Sequence, residues 1–256
     1  MKRAFVKYSI FIALLLLAGC EGAEKSQVEK WGLGKVESEY VSLNRDYDWY
    51  VAQHTTGVGL RVNCAPTCAI MAAKWSDAGF SKTVADIRND TYLYNKLGAQ
   101  SGMYLYDLYY WLSANDIPID REYQIRMELS QMKEHLDNGD IMIVGINMYS
   151  ISYNKNKEQR TGKFYLTFDG TKIYLNGAYH AIVIKGYRVV DGITYFEVYD
   201  PASSEFERYP DGTFKGQDRY FLADEVISSG RRYGGDYLII SPKDTGDTTA
   251  QTASTH

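Results

Sequence analysis

Cysteine is scarce in this chain, with three among 256 residues, at positions 20, 64 and 68. A disulfide-stapled scaffold is thereby excluded. Histidine is nearly as rare. Its four copies, His54, His135, His180 and His256, stand far apart, whereas a structural zinc site needs a second ligand pair near its first. No metal and no organic cofactor is therefore expected. A cationic excess is missing too: 28 Lys and Arg stand against 32 Asp and Glu, a formal charge of −4. Bulk charge thus offers nucleic acid or anionic lipid no attraction. Internal repeats are absent, as is any transporter or ATP-binding segment.

The first twenty residues, "MKRAFVKYSIFIALLLLAGC", form a basic start followed by an apolar run too short to span a bilayer comfortably. The ending "LAGC" resembles the lipobox of bacterial lipoproteins. That resemblance implies a signal peptide over residues 1–19 and a lipid on Cys20, with several acyl chains giving stable anchoring. Glu21 after the lipidated cysteine resembles the sorting signal for an outer membrane. The expected location is the bacterial cell envelope, outer membrane or cell surface. Loss of Lys2, Arg3 and Lys7 with the signal leaves a formal charge of −7.

Residues 20–40 are polar and read as a tether. Residues 41–241 read as one domain, expected to be monomeric, and 242–256 as a disordered tail. Within the domain the pattern shifts once. Helices are predicted from Cys64 to about Ala78, after a Ser101 cap, and from about Ser130 to Leu136 with a stop at Asn138-Gly139. Strands follow in "IMIVGINM", "KFYLTF-DG-TKIYL", "YHAIVIKGYRV", "ITYFEVYD", "DRYFL" and "DYLII". Helices first and antiparallel strands second predict an α+β fold, with helices on one side of a sheet. The 23 tyrosines suit contact with peptides or glycans.

Cys64 and Cys68 open the first helix. Pro66 fits a first helical turn and so places Cys64 at the N-terminus, where unpaired N–H groups favour a thiolate. Cys68 falls on the apolar stripe with Ala72 and Trp75 and reads as core. A bridge between the two fits poorly, because helical spacing leaves the Cβ atoms about 5–6 Å apart.

A thiolate nucleophile needs a base, and His180 opens an apolar strand. The following hairpin turns at "VVDG". A two-residue loop, Asp191-Gly192, puts His180 and Asp200 on opposite faces. A three-residue loop, Val190-Asp191-Gly192, sets Ile184 opposite Val198 and Lys185 opposite Glu197, and leaves His180 and Asp200 as diagonal neighbours on one face. The second register pairs charge with charge and is preferred. The order Cys64, His180, Asp200 then follows papain-like logic.

Here the residues become familiar. "NCAPTCAIM", "LDNGDIMIVGIN" and "GAYHAIVIKGYRVVDGITYFEVYDP" resemble blocks of the double-glycine leader peptidases and their C39-like relatives, over roughly residues 45–240. The resemblance implies a papain-like fold and a membrane-anchored cysteine peptidase acting on peptides or proteins. Cys64 would be nucleophile, His180 base and acid, and Asp200 the orienting group. Two positions depart from the pattern. Ala65 replaces a glycine, and the oxyanion glutamine expected near position 58 is a valine. Gln53 and Asn63 are the candidate oxyanion donors. Transglutaminase-like or amidase acyl transfer on cell-wall peptides shares the same chemistry. A non-catalytic binding or immunity lipoprotein is the third reading.

Overall fold

The computed structural model describes residues 25–90, 101–122, 127–164, 167–168, 171–172, 179–203, 207–232 and 235–243. The signal segment, Cys20 and residues 244–256 lie outside the described residues, as does the Asp169-Gly170 turn. Among the described residues no helix is long and apolar enough to cross a membrane.

The most apolar strand dictates the architecture. Strand β3, Ile141–Asn147, is buried at six consecutive positions, so both of its faces need cover. It lies inside a seven-stranded antiparallel sheet ordered β2-β9-β3-β6-β7-β8. The neighbours are β2 (Ile119–Glu122), β6 (Tyr179–Val190), β7 (Ile193–Tyr199), β8 (Arg219–Leu222) and β9 (Tyr237–Ile240). Strand β1, Glu37–Ser42, pairs with the distal half of β6, and β4 (Thr167–Phe168) pairs with β5 (Thr171–Lys172) in a separate ribbon.

One face carries Ile141, Ile143, Ala181, Val183, Leu238 and Ile240 against three helices. These are α2 (Cys64–Ser76), α3 (Val84–Arg88) and α4 (Leu105–Ser113). The other face carries Met142, Val144, Ile146, Ile182 and Ile184 against α5 (Leu129–Asp137) and α6 (Ala223–Arg231). The α+β class holds, but helices cover both faces rather than one. Period-2 alternation cannot reveal the second layer when every strand position is apolar.

Other boundaries moved for local reasons. Helix α4 starts after Tyr104, whose N–H donates to Asp107 Oδ2 (3.1 Å). Ser101 instead gives its carbonyl to Arg88 Nη1 (2.7 Å). Helix α5 ends as its stop signal requires, with Gly139 at φ 89°. The expected tether contains structure: a short helix α1, Gln27–Trp31, and then β1. Apolar burial gives little hint of β1, whose residues are exposed or half-buried; it is held by its ladder to β6 and by the turn beyond it.

That turn corrects the predicted loop. Asp191 (φ 51°) and Gly192 (φ 77°) form a two-residue connection, as the right-handed strand twist prefers. Asp191 also accepts the N–H groups of Lys35 and Val36, both at 2.9 Å. The register then slips between Ile184 and Gly186. On the turn side Gly186 faces Glu197, while on the site side Ile184 faces Val198 and Val183 faces Tyr199. The extra residue is Lys185, in a β-bulge. The preferred register is therefore correct where the site lies, although its origin is the bulge and not a longer loop. Gly186 is required because β1 crosses there: a Cβ would sit 2.1 Å from the Val41 carbonyl oxygen.

Lys185 itself is fully buried and pairs with Glu197 and with Asp218 (2.8 Å). Two carboxylates hold it firmly as an ammonium despite burial.

Candidate active site

Helix α2 is buried almost all round, which makes it a central helix rather than a surface one. Its foot is fixed by the segment before it. Trp75 Nε1 donates to the Leu43 carbonyl (2.7 Å), and Arg45 stacks 4.2 Å above the Trp75 ring while donating to the Trp75 carbonyl. A cation at the last carbonyls of a helix suits its dipole. At the other end Asn63 is the N-cap residue and Cys64 the first helical residue. The sequence expectation for Cys64 is met.

The same segment then docks on the end of β7. Trp49 packs against Tyr199 (centroids 4.2 Å), and Tyr50 Oη donates to the Asp200 carbonyl (2.8 Å). Gln53 N–H donates to the Pro201 carbonyl (2.7 Å), and His54 Nδ1 meets the Ser203 carbonyl (2.9 Å). One stretch of chain thus ties the nucleophile helix to the aspartate. Sequence reasoning passed over Tyr50 as one tyrosine among 23, with no motif to single it out.

His180 and Asp200 meet as the register requires. His180 Nε2 donates to Asp200 Oδ1 (2.7 Å), and the Ala202 N–H donates to the same oxygen (2.9 Å). Both side chains are buried, Asp200 completely. With Nε2 spent on Asp200, Nδ1 is the ring nitrogen left for Cys64, whose thiol interacts with the His180 charge. Burial opposes charge on the ring, but the Asp200 charge and hydrogen bond, reinforced by Cys64, push His180 up to about 10. Burial also pushes the Cys64 thiol up. The hydrogen bond and charge of His180, with the N–H groups of Ala181 and Ala65, more than offset it and bring the thiol below its ordinary range. Both directions favour a thiolate–imidazolium pair over the neutral pair.

The second thiol behaves oppositely. Both cysteines are free; Cys64 is half-buried and Cys68 buried. Burial, then the charges of Cys64 and Asp200, drive Cys68 well above the ordinary thiol range. Cys68 packs as core, as its stripe position predicts.

The two oxyanion candidates separate clearly. Asn63 is fully buried; its Nδ2 donates to Thr56 Oγ1 (2.8 Å) and the Val58 carbonyl (3.1 Å), so both N–H bonds are spent. It braces the glycine-bearing loop and has no donor left for substrate. Gln53 is also buried, yet among the described residues its Nε2 makes one bond, to the Leu60 carbonyl (2.7 Å), and its Oε1 has no partner. One N–H of Gln53 remains available. Cys20, the expected lipidation site, lies outside the described residues.

No curated protein matches the sequence. Among solved structures, that of a candidate C39-like peptidase from Bacillus anthracis aligns with 80% of this chain and 99% of its own, at 12% identity and a TM-score of 0.49. The family described as Peptidase C39 like matches residues 46–223. That span encloses Cys64, His180 and Asp200 and covers well over half of the sequence, and the chain belongs to the peptidase C39-like family.

Proposed function

We propose that this family member is a cysteine peptidase that hydrolyses peptide bonds through a Cys64 acyl-enzyme. The observation that carries the reading is the buried His180–Asp200 contact of 2.7 Å, with the Cys64 thiol in electrostatic reach of the same ring. The thiolate attacks the peptide carbonyl carbon, and the His180 imidazolium gives its proton to the departing amine nitrogen. Water then adds to the thioester while His180 takes its proton, releasing the acid and restoring the ion pair. Asp200 keeps the ring oriented throughout and stabilises it in the steps where it is an imidazolium. The developing oxyanion would face the Cys64 N–H, which has no acceptor inside the helix, and the free N–H of Gln53. Lipid on Cys20 would hold the enzyme, as a monomer, at the cell envelope, with exported or surface peptides as substrates.

The test is selective labelling. Purified mature protein is expected to react with an electrophilic thiol probe at Cys64 and not at Cys68, and His180→Ala should suppress the reaction. Equal labelling of both thiols, indifferent to the histidine, would sink the reading. A second reading, a binding module without turnover, draws on one observation: Gln53 spends one N–H on Leu60, and Asn63 spends both of its own. Labelled Cys64 with no release of product from any peptide library would favour it.

A further inference from the structure

Arg88 is a buried arginine that is bonded to the turn before the nucleophile and that no motif singles out. It closes α3 and is 8% exposed. Its guanidinium reaches the two residues that precede Cys64. Nε donates to Asn63 Oδ1 (2.8 Å), Nη2 to the Val62 carbonyl (3.1 Å) and Nη1 to the Ser101 carbonyl (2.7 Å). All three acceptors are neutral. Among the described residues no carboxylate forms an ion pair with it. Burying a cation without an anion costs several kcal/mol, and the opposite charge that Arg88 interacts with is the Cys64 thiolate.

Resting on the nucleophile reading above, we propose that Arg88 is a positioning residue for the reaction: it pins the 62–63 turn and supplies the fixed positive charge behind the Cys64 sulfur.

Three observations converge on this. Arg88 shares Asn63 with the helix start, so the cation cannot move without moving the N-cap. Asn63 passes the constraint on to Thr56 and Val58, ordering the loop that also holds Gln53 through Leu60. Burial lowers the Arg88 guanidinium, and the charge it interacts with in compensation is that of Cys64. The other titratable groups that act on the sulfur are His180 from the sheet and Cys68 from the same helix; Asp200 faces both of these, and His54, with Arg61 beside it, faces His180 and Asp200 from the preceding loop. His180 supplies the largest opposing charge, and Arg88 adds a second from the helix side.

The experiment is the rate of iodoacetamide alkylation at Cys64 against pH, read by peptide mass spectrometry so that Cys68 is counted separately. Arg88→Gln removes the charge, and Arg88→Lys keeps it while losing the forked hydrogen bonds. The expected result is a thiolate midpoint raised by about 0.5–1 pH unit in Arg88→Gln, a roughly 3- to 10-fold slower reaction below the midpoint. Arg88→Lys should return most of that shift. An unchanged midpoint in Arg88→Gln, or an equal shift in Arg88→Lys, overturns the proposal while leaving the nucleophile reading intact. Should Arg88→Gln not fold, Arg88→Lys decides alone: a midpoint still low supports the charge role, and a raised one overturns it. A wild-type Cys64 that titrates like an ordinary thiol overturns the nucleophile reading, and this proposal with it.

Discussion

Asp200→Asn isolates the charge of the aspartate from its shape. One oxygen, Oδ1, accepts both from His180 Nε2 and from the Ala202 N–H, so an asparagine can present its own oxygen and keep both bonds. What disappears is the negative charge. An opposite charge at this range is worth about 1–3 pKa units, or about 1.4–4 kcal/mol. His180, held at about 10, should then release its proton between roughly 7 and 9. The Cys64 thiolate, losing part of its cationic partner, should become harder to form. Histidine ring resonances followed by NMR across the pH range report the first change. Alkylation of Cys64 reports the second, each as a macroscopic value of the coupled pair. Stability follows with a defined sign. A histidine raised by its partner adds stability that is complete below its unfolded value of about 6.5 and is lost as pH rises through about 10. The difference in unfolding free energy between wild type and Asp200→Asn should therefore be largest near pH 6 and close on the alkaline side. An unshifted His180 titration in the variant would refute the electrostatic argument.

Three further outcomes are expected. Gly216→Ala should disturb the aspartate from behind, because a Cβ there would lie 2.0 Å from the Asp200 carbonyl oxygen and 2.1 Å from Tyr50 Oη; overpacking of about 1–3 kcal/mol is expected in urea unfolding, together with slower Cys64 alkylation. Lys185→Met should destabilise the fold by about 3–5 kcal/mol, since it leaves Glu197, 2% exposed, without its ammonium partner; calorimetry showing no loss would argue that the cluster is dispensable. Gln53→Ala should leave the pH profile of alkylation unchanged but slow any peptide turnover by about 10²–10³-fold, separating oxyanion support from thiolate formation.

The geometry of the candidate site was as legible as the fold class, and the layering of helices around it was less so. Pro66 and the helix start marked Cys64, and the Lys185–Glu197 pair marked the register that joins His180 to Asp200. Both signals are local and chemical. The second helical layer was hidden because "IMIVGI" carries no polar residue, so no alternation shows which face is covered by what. Strand β1 was hidden for the opposite reason: its residues "ESEYVS" bury little and are fixed by backbone bonds to a strand nearly 150 residues later. Tyr50 and Arg88 carried no sequence signal, since their importance lies in partners distant along the chain. Asn63 looked like a donor for substrate because composition cannot show that its amide is already saturated.

The bulge at Lys185 gives the β6–β7 hairpin two phases along one ladder. Near the turn, residues pair as a tight two-residue connection demands; near the site, they are offset by one. A regular ladder that kept Lys185 and paired it with Val198 would carry the turn's phase through to the site and place His180 and Asp200 on opposite faces without touching either residue. Changes in the Asp191-Gly192 turn, by contrast, are felt first by β1 and the segment bonded to Asp191. The hairpin is thus an adjustable coupling in which one inserted residue, locked by buried charge, sets the timing between a turn chosen for folding and a pair chosen for chemistry.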